Sequence, residues 1–401
     1  MKRLGLPEPK SDTAASDLPS PSAILYGPRV ETDGIAMTSE NAGRPLRFLF
    51  ALPGFHAEER GAEVALLSVA QALAAAGDAV TVLGSGPARE GCAYRYRQVS
   101  AVNRRRFERF PKFPVLRSET AWEDATFAAG LLNAYDPADF DLTVTCNFPF
   151  THWALRRGGR RAPKHLFVTQ NGDWPAFSDA AEFRFFRCDG LVCTNPDYQE
   201  RNSGRWRTAL IPNGIDPDRY AGVAGDRAGF GLPQNRKIVL MVSAFIETKR
   251  VLDGMRAVAP LEGVHFVVAG DGPLRDEVDR LAAQILPGRF TRLTTTTDRM
   301  PALYRAADVF LHMSLLESFG NVFVEAMASG LPIVAHDTPR LRWIVGERET
   351  LCDTEDAAAT TASLARALQI GQGTADARAA QFAWTAIAAR YRAFATEVLA
   401  G

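Results

Sequence analysis

Two glutamates bracket the start of one predicted helix. Glu317 precedes the helix in a loop, Gly320 and Asn321 open it, and Glu325 falls in its second turn. The first backbone N–H groups of a helix have no intrahelical partner, so they attract phosphate together with the positive end of the helix dipole. Carboxylates only accept hydrogen bonds, and beside a phosphate they suit the hydroxyls of a sugar or a ribose. The spacing therefore predicts a site for a phosphorylated, hydroxyl-rich ligand.

Apolar strands that alternate with helical patterns predict the scaffold for this site. An apolar run at 46–52 opens one series of strands and helices, and a second series starts at 237–242 after a stretch rich in Gly, Asp and Pro. Continuous apolar strands between helices are typical of parallel sheets covered on both faces. Ligands of such sheets bind at the carboxyl ends of the strands.

We therefore predict an α/β fold of two doubly wound, Rossmann-like domains that face a central cleft. The predicted segments are a flexible tail at 1–44, a first domain at 45–216, a linker at 217–236, a second domain at 237–380, and a helix at 381–399. That this helix joins the first domain is implied only by the family resemblance given below.

The composition excludes several classes of protein. The 401 residues include 46 Lys and Arg and 46 Asp and Glu, so no overall field favours nucleic acid. The five cysteines of the chain form no CxxC pair, and several fall in apolar runs. This pattern indicates buried thiols in a reducing compartment. No stretch approaches the roughly 18 apolar residues of a membrane span, and Lys2 and Arg3 precede no apolar core of a secretory signal. We expect a cytoplasmic protein without a nucleic-acid partner.

The segment 317–332 resembles the glutamate-x7-glutamate signature of retaining glycosyltransferases of family 4, which have the GT-B fold. Matching pieces stand in the expected order at 211–216, at Lys249 and at 270–273, and the resemblance spans roughly 46–352. It implies transfer of a sugar from a UDP- or GDP-linked donor to a glycan, lipid-linked or other acceptor, with retention of configuration. The nucleotide-sugar is then a substrate, and neither a cofactor nor a metal is expected.

The resemblance also assigns residues to the donor. It implies that Glu317 contacts the hydroxyls of the transferred sugar and that Lys249 neutralises the diphosphate. The other residues expected at the donor are Glu325 on the ribose, the backbone of Phe319, Gly320, Asn321 and Val322, and Arg250, Gly61, Gly54 and Asp271. Two alternatives stay open: Lys249 as a surface residue of a helix, and Asp271 as a turn former between two glycines.

Two departures from the family pattern concern the donor and the reaction. Ser243-Ala244 stands where an arginine is usual, which makes Arg250 the nearest replacement. Asn171 replaces a histidine near the transferred sugar, and we include it among the catalytic positions. An asparagine hydrogen-bonds a hydroxyl, but it does not exchange a proton near neutral pH.

The first domain supplies the acceptor side in this interpretation. We predict His56 and Asp173 there, with the alternatives that His56 is incidental and that 170–175 is only a turn held by Trp174. A basic and aromatic stretch from Arg104 to Lys112 predicts peripheral contact with an anionic membrane at its inner face. A solvated loop with core-facing phenylalanines is the alternative for that stretch.

Three other functions fit parts of the same sequence. They are a nucleotide-sugar epimerase or phosphorylase-like enzyme, a non-catalytic nucleotide-sugar-binding protein, and a dinucleotide-dependent oxidoreductase. The third is disfavoured because no clean GxGxxG follows a strand.

Overall fold

A computed structural model gives the fold of residues 44–113, 115–159, 162–315, 317 and 319–401. The tail predicted at 1–44 falls, apart from Arg44, outside the described residues. Residues 45–401 form one compact unit.

The first sheet is built from short apolar strands. Its strands are β1 Arg47–Ala51, β2 Ala79–Gly84, β3 Arg95–Gln98, β4 Leu142–Thr145, β5 Lys164–Val168, β6 Gly190–Cys193 and β7 Thr208–Leu210. All pairs are parallel, in the order β3-β2-β1-β4-β5-β6-β7, with Phe48 opposite both Val80 and Leu142.

The second sheet repeats this arrangement. Its strands are β8 Lys237–Val242, β9 Val264–Ala269, β10 Phe290–Leu293, β11 Val309–His312, β12 Ile333–His336 and β13 Leu351–Cys352. They are again parallel, in the order β10-β9-β8-β11-β12-β13. Every residue of β9 is buried, as expected for a strand covered on both faces.

Helices connect the strands. They are α1 Gly61–Ala75, α2 Glu119–Ala134, α3 Phe150–Leu155, α4 Trp174–Phe177, α5 Pro196–Asn202, α6 Val251–Val258, α7 Arg275–Ile285, α8 Met300–Ala306, α9 Asn321–Ala328, α10 Pro339–Val345, α11 Ala357–Ile370 and α12 Trp384–Ala400. Short 3-10 helices at Arg104–Phe107 and Glu247–Lys249 lie near the site described below.

Strand order reverses between β1 and β4 in one sheet and between β8 and β11 in the other. Helices leave opposite faces of the sheet at such a switch point, and a crevice opens beyond the strand ends. β1 leads into Leu52-Pro53, β4 into Cys146-Asn147, and β11 into the loop before α9. These segments form the candidate site.

Two segments cross between the domains. Helix α12 packs against α1 and contributes Ile387, Tyr391 and Phe394 to the core of the first sheet. The segment 217–236 is not a free connector, because Tyr220 and Leu232 are buried in the core of the second sheet.

Candidate active site

A cavity of about 740 Å³ lies at the carboxyl ends of the strands, and both domains contribute to its walls. The first domain supplies the start of α1, residues that follow β4 and β5, and part of α2. The second domain supplies Glu317 and the start of α9. The two switch points therefore share one cavity.

The start of α9 depends on a glycine. Gly320 is left-handed with φ 77°, and a Cβ there would lie 2.7 Å from the ring of Phe323. Phe319, Gly320 and Asn321 all border the cavity, as the sequence predicted for the phosphate end of the site. Asn321 Oδ1 is buried without a hydrogen-bond partner among the described residues, so this wall keeps a polar group for a ligand.

Glu317 is held from two sides. Lys249 Nζ donates to its carboxylate, and His312 Nε2 at the end of β11 lies 3.2 Å from Glu317 Oε1. Burial opposes ionisation of Glu317, but the hydrogen bonds and charges of His312 and Lys249 outweigh it and lower its pKa to about 2. The carboxylate is thus charged and fixed at the cavity wall.

Glu325 lies deeper than Glu317 and does not border the cavity. Tyr304 Oη donates to Glu325 Oε2 at 2.7 Å, and the hydroxyl of Tyr220 also bonds to this carboxyl. Burial raises the pKa of Glu325, and the two phenols and Arg219 partly offset the rise. The ribose role of Glu325 stays a prediction, with the phenols fixing its orientation.

Residues of the first domain form the opposite wall. Gly61, at the start of α1, borders the cavity, and a Cβ there would meet nothing within 4 Å. Asn171 follows β5 on the same wall, and its Nδ2 lies 3.7 Å from Cys146 Sγ. Asn171 therefore lies across the cavity from Glu317, on the wall where the sequence places it.

Two cations expected near the diphosphate have different positions. Lys249 reaches Glu317, whereas Arg250 turns away from the cavity. The guanidinium of Arg250 donates to Asp253 at 2.9 Å and to Thr354 O at 3.0 Å, so it ties α6 to the loop after β13. The proposed replacement of the missing arginine by Arg250 is therefore not seen.

Asp271 shapes a turn rather than bordering the cavity. Its carboxylate accepts from the amide of Gly272 and from Arg275 Nε, both at 2.8 Å. A Cβ at Gly270 would overlap the carbonyl oxygen of Ser243, and one at Gly272 would lie 2.6 Å from the carbonyl oxygen of Phe245. The glycines thus serve the close approach of two loops, which is the alternative role considered for this motif.

Three other predicted positions also lie away from the cavity. His56 is buried, with Nε2 2.8 Å from Tyr94 Oη and its ring stacked on Tyr96 at 3.8 Å. Gly54 packs under the side chain of Glu63, where a Cβ would lie 2.8 Å from Cδ. Val322 lies against the second core. The ring of His56 is committed to packing, so acceptor contact is not its role in this structure. The backbone contacts expected of Gly54 and Val322 stay predictions.

Asp173 anchors a loop instead of facing an acceptor. It is buried and accepts from Arg201 Nε and Nη2 at 2.9 and 2.8 Å, and from Asn202 Nδ2 at 2.8 Å. Its neighbour Trp174 borders the cavity and is 57% exposed. The loop at 170–175 does border the cavity, but Trp174 rather than Asp173 lies on its wall.

The basic stretch is partly packed. Phe107 is buried and stacks on Trp122, while Phe110 and Phe113 are 47% and 50% exposed. Arg104 borders the cavity, and its backbone amide donates to Glu123 at 3.1 Å. Phe107 thus faces the core as in the alternative interpretation, while the membrane contact stays a prediction that the exposed Phe110 and Phe113 leave open.

Sequence reasoning assigned no role to several residues that form the site. His312 ends an apolar strand, and Asn147 follows another strand by two residues, so strand-end positions are the signal that could have found them. The phenols on Glu325 come from the predicted linker and from α8, and no local spacing connects them with Glu325.

None of the helices in the described part of the chain is both long and apolar enough to cross a bilayer. Within the same residues, no three His, Cys, Asp or Glu side chains are grouped to hold a metal ion.

Two parallel sheets with matching strand orders and a shared cavity define the class: a GT-B-type protein of two Rossmann-like domains. Sucrose-phosphate synthase from Thermosynechococcus elongatus superposes with a TM-score of 0.70 at 22% identity, over 88% of this chain and 99% of that one. HepE from Anabaena, solved with UDP and glucose, gives 0.61 at 18% identity, over 88% and 100% of the chains. At these identities the likeness shows the fold alone, and it confirms the predicted fold class.

The family follows from the sequence matches. Residues 60–219 match the family described as Glycosyltransferase Family 4, and residues 224–382 match Glycosyl transferases group 1. The chain belongs to the family 4 glycosyltransferases of GT-B fold, which confirms the resemblance.

The curated relatives match over part of their length. The lipopolysaccharide core biosynthesis glycosyltransferase LpsE of Rhizobium meliloti is 32% identical over 197 residues, which are 47% of this chain and 56% of the relative. The D-inositol 3-phosphate glycosyltransferase of Mycolicibacterium smegmatis is 38% identical over 144 residues, a third of each chain. The matched segments thus span about half of these relatives' length or less.

Proposed function

We propose that the chain transfers a hexose from a UDP- or GDP-sugar to a glycan or lipid-linked acceptor, with retention and without a metal ion. One observation carries the proposal: Glu317, charged and held by Lys249 and His312, stands beside the start of α9 in a cavity that both domains border. The HepE structure contains UDP and glucose and shares this fold, which supports a nucleotide-sugar as the ligand.

The donor fits this wall by charge and by hydrogen-bonding capacity. The diphosphate lies at the amides of Gly320 and Asn321, where the helix dipole is positive, and Lys249 reaches it from Glu317. Glu317 then accepts from the hydroxyls of the sugar. A lysine and a helix end supply the positive charge that a metal ion gives in other transferases, which supports the metal-independent part of the proposal.

The reaction proceeds on one face of the sugar. The bond between the anomeric carbon and the diphosphate oxygen breaks, and a bond to the acceptor oxygen forms on the same side. The acceptor's proton passes to the departing phosphate oxygen, so Asn171 does not need to act as a base. Lys249 and the amides of α9 stabilise the leaving diphosphate.

Calorimetry and a turnover assay test this proposal. UDP or GDP binds the intact chain, and the nucleotide diphosphate is released from the matching nucleotide-sugar only when an acceptor mixture is present. Binding without turnover on any acceptor fraction would indicate a non-catalytic binding protein, and isomerised sugar without release would indicate an epimerase. Failure of both nucleotides to bind contradicts the donor site itself.

The stretch from Arg104 to Lys112 supports a peripheral membrane contact at the inner face. Phe110 and Phe113 are half-exposed among exposed arginines, and basic groups near an anionic surface contribute about 1 kcal/mol each. Co-sedimentation with phosphatidylglycerol vesicles should exceed that with phosphatidylcholine vesicles and fall with salt. Equal sedimentation with both lipids would refute the membrane contact and leave the transfer reaction untouched.

A further inference from the structure

Trp174 is a large apolar side chain kept at the surface of the cavity. It is 57% exposed, and it borders the same cavity as Glu317 and Asn171. An indole ring buries more apolar area than almost any other side chain, so the fold forgoes a substantial gain by leaving it exposed. A ligand that covers the ring would recover that gain.

The segment that leads into Trp174 is fixed. Gly172 has φ 103°, and a Cβ there would lie 2.6 Å from Trp174 Cη2, so the six-membered ring rests directly on the glycine. Asp173 is held by three hydrogen bonds from Arg201 and Asn202 on α5. The ring is therefore a preformed part of the wall rather than a mobile side chain.

The first-domain side of the cavity favours hydroxyls over phosphate. The described residues that border it there include three carboxylates, Glu63, Glu123 and Asp124, against two arginines, Arg60 and Arg104. Arg60 is already paired with Glu63, and Asp124 accepts from Asn147 Nδ2 at 3.2 Å. The balance of charge on this side therefore disfavours a phosphate, and a neutral ligand rich in hydroxyls fits it better.

We infer that Trp174 is a stacking platform for a sugar ring of the acceptor, which makes the acceptor a saccharide at its reacting end. A pyranose presents apolar C–H groups to an aromatic face and hydroxyls at its rim, and this wall offers both partners. The inference rests on the proposed transfer function and specifies the chemistry of the acceptor. Trp174 thus determines specificity without handling the reacting bond.

Saturation-transfer NMR on the full chain with UDP bound tests the inference. The probes are methyl α- and β-glycosides of glucose, galactose, mannose and N-acetylglucosamine. At least one probe should bind the wild type through its ring C–H protons. Trp174→Leu should weaken that binding about tenfold, the range expected for loss of an aromatic contact, whereas Trp174→Phe should retain most of it.

Trp153→Leu is the matched control, because Trp153 is 38% exposed in the same domain and does not border the cavity. Calorimetry should give the same nucleotide affinity for Trp174→Leu and wild type, with GDP replacing UDP in both measurements if GDP is the nucleotide that binds. Failure of both nucleotides to bind the wild type would contradict the proposed function rather than this inference. The inference is overturned if no probe binds the wild type, if Trp174→Leu binds as well as wild type, or if that variant loses only vesicle binding.

Discussion

At the scale of single residues, the donor wall is organised around two carboxylates with different surroundings. Glu317 is charged, because Lys249 and His312 outweigh the effect of burial. Glu325 receives phenolic hydroxyls from Tyr304 and Tyr220, and its pKa is raised by burial. The two glutamates that look alike in the sequence therefore differ in their hydrogen-bond partners and in the direction of their pKa shifts.

Glu325→Ala should weaken binding of the nucleotide diphosphate roughly ten- to a hundred-fold, since hydrogen bonds to a charged group contribute about 1.5–3 kcal/mol. Glu317→Ala should lower turnover more than it lowers nucleotide affinity, because its partner is the transferred sugar. Calorimetry with UDP and GDP gives the affinities, and release of the nucleotide diphosphate gives the turnover.

Tyr304→Phe is the control for Glu325→Ala. It removes the 2.7 Å hydrogen bond but keeps the buried ring and the carboxylate, so nucleotide affinity should fall by less than in Glu325→Ala. Unchanged kinetics and unchanged affinity in both glutamate variants would contradict the site assignment.

At the scale of elements, α3 packs on β5 through two buried histidines. The rings of His152 and His165 are 4.7 Å apart, and His165 Nδ1 lies 2.8 Å from Thr143 Oγ1. Burial and then the charge of Arg156 lower the pKa of His152 to about 3, and burial lowers that of His165 well below its usual value. Both histidines are therefore neutral in the folded domain.

The free energy of unfolding should fall as the pH drops below about 6.5. Below that pH the unfolded chain binds protons on these histidines and the folded chain does not. The free energy of unfolding therefore falls by about 1.4 kcal/mol per pH unit for each histidine. The His152 ring stacks on Phe186, and His152→Phe replaces it with a ring that does not titrate. The free energy of unfolding of this variant should therefore change less steeply with pH between pH 6 and pH 4.5. Urea denaturation at several pH values measures it, and an identical slope in the variant would count against the buried pair.

The sequence predicted most strands and helices because buried parallel strands leave continuous apolar runs, as in β8 and β9. It missed β3, an edge strand with the sequence RYRQ and mostly exposed side chains, because no apolar run marks it. At the site, spacing within one loop identified Glu317, Gly320 and Asn321. Residues whose contacts come from distant segments, such as the two phenols Tyr220 and Tyr304 on Glu325, leave no local signal.

At the scale of the whole molecule, the two domains meet at few described polar contacts. Arg340 of α10 donates to Asp197 of α5 at 3.0 Å, and it also donates to the backbone carbonyl of Glu317. One arginine thus connects the acceptor-side domain with the loop that carries a predicted catalytic carboxylate.

Phe394→Ala on α12 should destabilise the first domain by about 3–5 kcal/mol, because its ring is buried against Gly190 of β6. Thr396→Ala on the exposed face of the same helix should change stability by less than about 0.5 kcal/mol. Limited proteolysis with mass spectrometry should show new cleavage within 46–211 in Phe394→Ala, and cleavage confined to 237–380 would contradict the assignment.

The position of α12 also constrains how the chain is made. Residues 45–216 are synthesised long before Trp384, where α12 begins. Because α12 covers part of the first core, that part of the apolar interior stays exposed while the second domain is translated. The core of the second sheet also takes in Ala379 and Phe382, so both domains are completed by the last residues to be synthesised. The first domain has the longer interval between synthesis and completion, and its apolar interior is therefore exposed for longer to aggregation or to a chaperone.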